Sequence, residues 1–298
     1  MRLQDLLSSK PMTRIGILIG RYMPHAVGHR LARVVAGIVA RQKPQVYWAV
    51  RTNLRQVLGP EADDEKLHEM TRHVFFHAGQ TYYDFFHALG QSTEVLAEAV
   101  HIRDEHEAFI RSEMARGQGV LLLGTHMSNF DLLGLAVGAR GLPIQVLSLV
   151  DPPAGFHILN RLRAKAGFEV TPITPQSLRA AIRRLKSGGI VATGIDRPIP
   201  EDRELVEFFG RLAYLPVGPV RLALMTGATV VMGICYYEPD KGYALNFVGP
   251  IEMTHTGDRR QDILTNTRRL AVILEENIRA HPEQWMMFHP FWPEGSPA

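Results

Sequence analysis

Apolar positions along this chain fall into two patterns, helical in the first ninety residues and strand-like from about residue 117 onward. In the first part, Val27, Leu31, Val34, Val35 and Ile38 recur at helical spacing, with Arg30, Arg33 and Arg41 to one side of that stripe. The run Ile15-Gly-Ile-Leu-Ile19 lies just before it, flanked by Arg14 and Arg21. Residues 44–58 read as a second helix closed by Gly59-Pro60, and residues 63–89 as a third, rich in Phe and Tyr.

Beyond Gly117, short continuous apolar runs at 120–123, 144–150, 190–193, 229–237 and 243–248 have the texture of buried strands. Helical patterns at 129–140, 156–166 and 175–186 alternate with the first three. A closing helix carries Ile263, Leu270, Ile273, Leu274 and Ile278. The expected fold is α/β: a mostly parallel mixed sheet flanked by helices, with an N-terminal helical layer. The last two strands form a hairpin candidate through Pro239-Asp240. The division is residues 1–60 as a basic amphipathic region and 61–298 as the α/β domain.

Composition narrows the class. A chain of 298 residues that is 46% hydrophobic and 21% charged has ample material for a core, which excludes disordered, collagen-like and coiled-coil chains. The single Cys235 removes any intrachain disulfide framework or multi-thiolate zinc site, and its apolar strand makes it a packing residue. The longest stretch without Lys, Arg, Asp or Glu is 222–237, too short to span a bilayer. The net charge of +3 hides an uneven split. Residues 1–60 hold ten Lys/Arg against Asp5, giving +9; the remaining residues, with 23 bases and 29 acids, carry −6. Such an arm fits an anionic surface, and arginines accompanying aliphatic residues without interleaved aromatics favour a membrane over nucleic acid. The periodicity leaves two arrangements open, an arm lying in a lipid interface or a helix packed on the body with its arginines in water.

Several chemistries are missing from the sequence. There is no G-x-S-x-G elbow and no P-loop, and Gly117-Gln-Gly119 precedes a strand and lacks the third glycine of a dinucleotide loop. His68 and His73 miss the i, i+4 register of a zinc helix. What remains is Gly124-Thr-His-Met-Ser-Asn-Phe-Asp131, at the point where the first strand ends and a helix begins. With His126 on the turn and Asp131 in the first helical turn, the carboxylate can accept from one imidazole nitrogen. The other nitrogen then acts as general base towards a hydroxyl. The spacing leaves open a capping Asp beside a satisfied core His.

Three blocks together carry a resemblance: the H-x4-D block with Asn129 inside it; Gly194-Ile-Asp-Arg197 followed by Phe208-Phe-Gly210 and the segment 218–228; and the C-terminal segment 277–285. Across most of its length the chain resembles the lipid A biosynthesis (late, or secondary) acyltransferases of the H-x4-D glycerolipid-acyltransferase superfamily. The resemblance implies transfer of a fatty acyl chain from acyl carrier protein or coenzyme A to a hydroxyl of a membrane glycolipid or lysophospholipid. It makes His126 and Asp131 the catalytic pair and Arg163 a substrate-binding position. It also implies substrate contacts by Asn129, Asp196 and Arg197, with Asp196 serving the acceptor or its loop. Phe209 and Gly210 either shape the acyl groove or form an ordinary turn. No cofactor or metal is expected, because the thioester is already activated. The expected location is the cytoplasmic face of the inner membrane, peripheral or monotopic, with Arg14, Arg21, Arg30, Arg33 and Arg41 against an anionic leaflet. Mannoside acyltransferases share the same block and are the alternative to a lipid A-type acceptor; a non-catalytic lipid binder and a hydrolase using the same His are the other classes. Two departures stand out. There is no membrane-spanning segment, and the chain closes on Met287-Phe-His-Pro-Phe-Trp-Pro293 where lipid A enzymes carry a basic tail.

Overall fold

A computed structural model describes residues 10–149, 160, 164, 169–199 and 202–292. The described residues open with four helices, α1 (Lys10–Tyr22), α2 (His25–Gln42), α3 (Gln45–Leu58) and α4 (Asp64–Ala88), followed by α5 (Thr93–Ala97) and α6 (Asp104–Ala115). Alternation then begins with β1 (Val120–Gly124), α7 (Phe130–Ala139), β2 (Ile144–Ser148), β3 (Glu169–Pro172), α8 (Pro175–Lys186) and β4 (Ile190–Gly194). A small hairpin, β5 (Arg203–Phe208) and β6 (Arg211–Pro216), leads to α9 (Gly218–Thr226). The chain continues through β7 (Thr229–Glu238), β8 (Gly242–Ile251) and α10 (Arg259–Ala280). The expected helix at 156–166 lies almost wholly outside the described residues.

The main sheet has the order β3-β2-β4-β1-β7-β8. Every neighbouring pair is parallel except β7 with β8, which form the antiparallel hairpin expected from Pro239-Asp240. The α/β reading therefore holds. Alternation along β1 shows why its strand is apolar throughout. Leu121 and Leu123 enter a core formed with α8, α9, α10 and the small hairpin, while Val120 faces Ile110 of α6 and Ile144, Ile190 and Val231 of the sheet. Both faces are covered, as a parallel sheet requires.

The arm differs from a simple amphipathic helix. On α2 the buried residues are Gly28, Ala32, Ala36 and Ala40, one small residue per turn. They bring α2 close to α4. A Cβ on Gly28 would sit 2.2 Å from Cε2 of Tyr83, and one on Gly79 would sit 2.9 Å from Cβ of Ala32. The aliphatic stripe faces outward: Val27, Leu31, Val34, Val35 and Ile38 are 40–58% exposed. Exposed Ile15, Leu18 and Tyr22 of α1 and Trp48 of α3 add to the apolar surface of this layer. Arg14, Arg21, Arg30, Arg33 and Arg41 are also exposed. Helix α2 is thus packed on the body with its arginines exposed, as one of the two arrangements has it, but it packs through the small residues and leaves the aliphatic stripe outward. Among the described residues no helix is long and apolar enough to cross a membrane.

Cys235 is buried at 1% exposure in the core beside Leu132, Leu135 and Tyr243. Burial pushes its thiol pKa up to about 12. The native protein should therefore resist alkylation at pH 8 and react fully once unfolded in guanidinium. Rapid stoichiometric labelling of the native chain would contradict this placement.

Candidate active site

Parallel strands β1 and β4 lie side by side, with Gly124 opposite Gly194, so their C-terminal ends lie together. This is where open α/β sheets present functional groups. Two residues past the end of β1 stands His126; two past the end of β4 stands Asp196. The pairing continues one residue beyond the strands, since Ile195 N–H donates to the Gly124 carbonyl. Asp196 is completely buried and takes hold of His126 twice. Its Oδ2 accepts from the His126 backbone N–H at 2.8 Å, and its Oδ1 lies 2.7 Å from the ring Nδ1. Burial alone would raise the Asp196 pKa. The His126 charge, its ring and backbone hydrogen bonds and the nearby Arg197 outweigh that and hold it below the usual carboxylate value. An ionised Asp196 only accepts, so Nδ1 carries a proton and, in the neutral form of the ring, Nε2 holds the lone pair. The His126 side chain is 23% exposed against 0% for Asp196, so the ring is reachable from its outer edge.

A strap from the C-terminus closes over this turn. Met286 N–H donates to the His126 carbonyl, Ser128 N–H donates to the Gln284 carbonyl, and Met127 bridges Trp285. Gln284 is anchored in turn, its amide exchanging hydrogen bonds with the backbone N–H and carbonyl of Tyr237. The indole N–H of Trp285 donates to Asp196 Oδ2 at 3.2 Å, completing the shell around the buried carboxylate. Further along, Asn53 of α3 donates to the carbonyls of Met287 and His289 and accepts from Phe291 N–H, tying strap to helical layer. Trp285→Phe keeps an aromatic ring but removes the N–H donor to an ionised group together with the buried pyrrole half of the indole, and should cost at least about 1.5–3 kcal/mol in urea unfolding. An unchanged midpoint would show that this bond is not a net contributor.

Residues 12–294 match the family model of bacterial lipid A biosynthesis acyltransferases. The chain belongs to this family. Its relatives include phosphatidylinositol mannoside acyltransferases. One, from Mycobacterium tuberculosis (strain ATCC 25618 / H37Rv), is 28% identical over 183 residues, 60% of this chain and 56% of the relative. Another, from Mycolicibacterium smegmatis (strain ATCC 700084 / mc(2)155), is 25% identical over 288 residues, 94% of this chain and 91% of the relative. The chain thus matches little more than half the length of the first relative.

The other residues expected at the site of this family member fall in different places. Asp131 is the acid expected to accept from one imidazole nitrogen; at Nδ1 the carboxylate present is that of Asp196. Asp131 sits half-buried in the first turn of α7, next to Phe130, whose ring meets His126 edge-on at 5.2 Å between centroids. Asn129 is fully buried and caps α7. Its oxygen accepts from Leu132 N–H and its amide donates to the Thr81 carbonyl, so both ends of the side chain are spent within the fold. Arg197 follows Asp196, and its buried Nε has no hydrogen-bond partner among the described residues. The same holds for Thr125 Oγ1, on the other side of the pair. Arg163 lies outside the described residues.

Phe209 and Gly210 form the tight turn of the β5–β6 hairpin, both with positive φ, at 53° and 72°. Glu275 accepts the Phe209 N–H, Gln56 donates to its carbonyl, and its ring packs on Phe208 and Trp292. His289 adds a further neighbour that sequence reasoning missed: burial first, then the positive Arg197 and His126, lower its pKa, so it is neutral at pH 7.

Proposed function

We propose that this protein is an O-acyltransferase that moves a fatty acyl chain from a thioester, acyl carrier protein or coenzyme A, to a hydroxyl of a membrane glycolipid. The observation that carries this reading is the His126–Asp196 pair, with Nδ1 held by a buried carboxylate and the His126 side chain partly exposed. Nε2 removes the proton from the acceptor hydroxyl as its oxygen attacks the thioester carbonyl. The tetrahedral oxyanion then collapses, the C–S bond breaks, and the imidazolium returns the proton to the leaving thiolate. Asp196 stabilises the imidazolium in between.

The oxyanion needs donors. The N-terminus of α7 is a natural source, but the Ser128 N–H is already committed to Gln284. Arg197 Nε and Thr125 Oγ1, next in sequence to Asp196 and His126 and without a hydrogen-bond partner among the described residues, are the candidate donors to that charge or to the thioester carbonyl. Asp131 contributes negative charge from the first turn of α7, and Arg163 binds the polar part of a substrate.

The mannoside acyltransferase relatives favour a phosphatidylinositol mannoside-type acceptor over a lipid A-type one. The outward aliphatic stripe and its arginines support a peripheral or monotopic enzyme on an anionic leaflet, at the cytoplasmic face of the inner membrane. Purified protein incubated with acyl-coenzyme A and a lipid extract containing phosphatidylinositol mannosides should yield lipids heavier by one acyl group. Release of free fatty acid without transfer would indicate a hydrolase, and no turnover of any donor would leave only a lipid binder.

A further inference from the structure

Away from the catalytic turn, three metal-ligating side chains from two helices converge. His25 and His29 stand four residues apart on α2 and so share one face of that helix. Asp84 comes from α4. His25 Nε2 lies 3.0 Å and His29 Nε2 lies 2.7 Å from the same oxygen, Asp84 Oδ1, and the three ligand atoms all fall within 4.8 Å of one another. A tetrahedral zinc ion with bonds of about 2.0–2.1 Å separates its ligands by about 3.3 Å, so the two His–Asp84 separations need to lengthen by only tenths of an ångström to admit one.

The surroundings have the organisation of a metal site. The second oxygen, Asp84 Oδ2, accepts from the Tyr243 hydroxyl at 2.5 Å. The phenol thus fixes the carboxylate from behind. The Asp84 side chain is only 6% exposed, and among the described residues its salt-bridge partners are these two imidazoles, neither permanently charged. A bound dication would compensate the buried carboxylate. A cavity of about 310 Å³ opens beside the cluster, lined by His25, Asp84, His87, Gln91 and Tyr243 among apolar residues, and gives room for an exogenous fourth ligand. Imidazole nitrogens with one carboxylate suit zinc and its first-row neighbours.

We propose that His25, His29 and Asp84 bind a divalent metal ion of the zinc type, which clips the outward-facing arm helix α2 to α4. Nothing in the acyl-transfer reading requires this ion, so the two stand or fall separately.

The test uses the untagged full chain, stripped with a chelator and titrated with zinc alone by calorimetry, with cobalt as a spectroscopic substitute. We expect one ion per chain, a tetrahedral cobalt spectrum, and a melting temperature that rises with zinc. His25→Gln is the key variant, since its side chain is 59% exposed and its loss should leave the fold intact. It and Asp84→Asn should weaken binding at least ~100-fold, while Tyr243→Phe should weaken it by about 10–100-fold. His73→Gln, in a separate histidine cluster on α4, should bind as the parent does. Absence of saturable binding to the parent chain, or binding and thermal shift that persist in His25→Gln, would overturn the proposal and leave a hydrogen-bonded cluster.

Discussion

An Asp196→Asn enzyme should transfer acyl chains about 10³–10⁴-fold more slowly than the parent, with its fold preserved. The size of the effect follows from hydrogen-bond polarity. Asparagine is isosteric, but its amide can place a donor where Asp196 Oδ1 now accepts from Nδ1. The imidazole then carries its proton on Nε2, the nitrogen that must be bare to act as base. The buried negative charge that stabilises the imidazolium is also lost. His126→Ala removes the base itself and should be at least as damaging. Asp131→Asn leaves the Nδ1 contact in place and should cost less than Asp196→Asn. Steady-state rates with acyl-coenzyme A and lipid acceptor, alongside circular dichroism, separate these cases. An Asp196→Asn enzyme within tenfold of the parent would remove Asp196 from the mechanism. The pH dependence of stability has a sign as well. Folding lowers the Asp196 pKa, so its ionisation adds stability that is full above the unfolded value and lost as pH falls through the folded one. The Asn variant should therefore be less stable near neutrality and show less of that acid-dependent loss.

The identity of that partner acid shows where sequence reasoning stops. His126 was legible because the strand–turn–helix setting is local: an apolar run, a glycine, then a capping asparagine and a helical pattern. Asp196 is 70 residues away, and meets His126 only because β4 inserts beside β1 in the sheet order. Spacing along the chain carries no information about that adjacency, and the nearer acid, Asp131, is the natural choice without it. The same limit hid the zinc-type cluster: His25 and His29 are visible at i, i+4, but Asp84 and Tyr243 arrive from elements far along the chain. Strands with continuous apolar runs were legible. The β5–β6 hairpin was not, because Arg203, Glu204 and Glu207 break its pattern and it lies outside the main sheet. β3 is four half-exposed edge residues, too short for any periodic signal. In α2 the stripe was recognised, yet its direction depends on Gly28, Ala32, Ala36 and Ala40. Small residues at every fourth position mark a close helix–helix approach, and that competes with the aliphatic face for the inside.

That outward face leads to the second large effect. Val34→Glu/Ile38→Glu should weaken binding to anionic vesicles by roughly 10²–10³-fold. Val34 and Ile38 are 58% and 49% exposed, so neither supports the contact of α2 with α4, and glutamate is at least as good a helix former. In a lipid interface both side chains would be buried further; losing about half of a full burial is worth about 1 kcal/mol each. Each new negative charge near an anionic surface adds about 1 kcal/mol of repulsion. Together these come to about 3–4 kcal/mol, or two to three decades at 1.4 kcal/mol per decade. Arg30→Gln/Arg33→Gln should give a smaller loss, about 1 kcal/mol per residue, that disappears at high salt, because its origin is purely ionic. Point substitutions are the right instrument. Deleting residues 1–40 would also strip α4 of its cover at Tyr83 and Gly79, confusing membrane binding with stability. Co-sedimentation with phosphatidylglycerol vesicles at low and high salt measures both terms. Binding by the double-glutamate protein equal to the parent would mean that this surface faces something other than lipid.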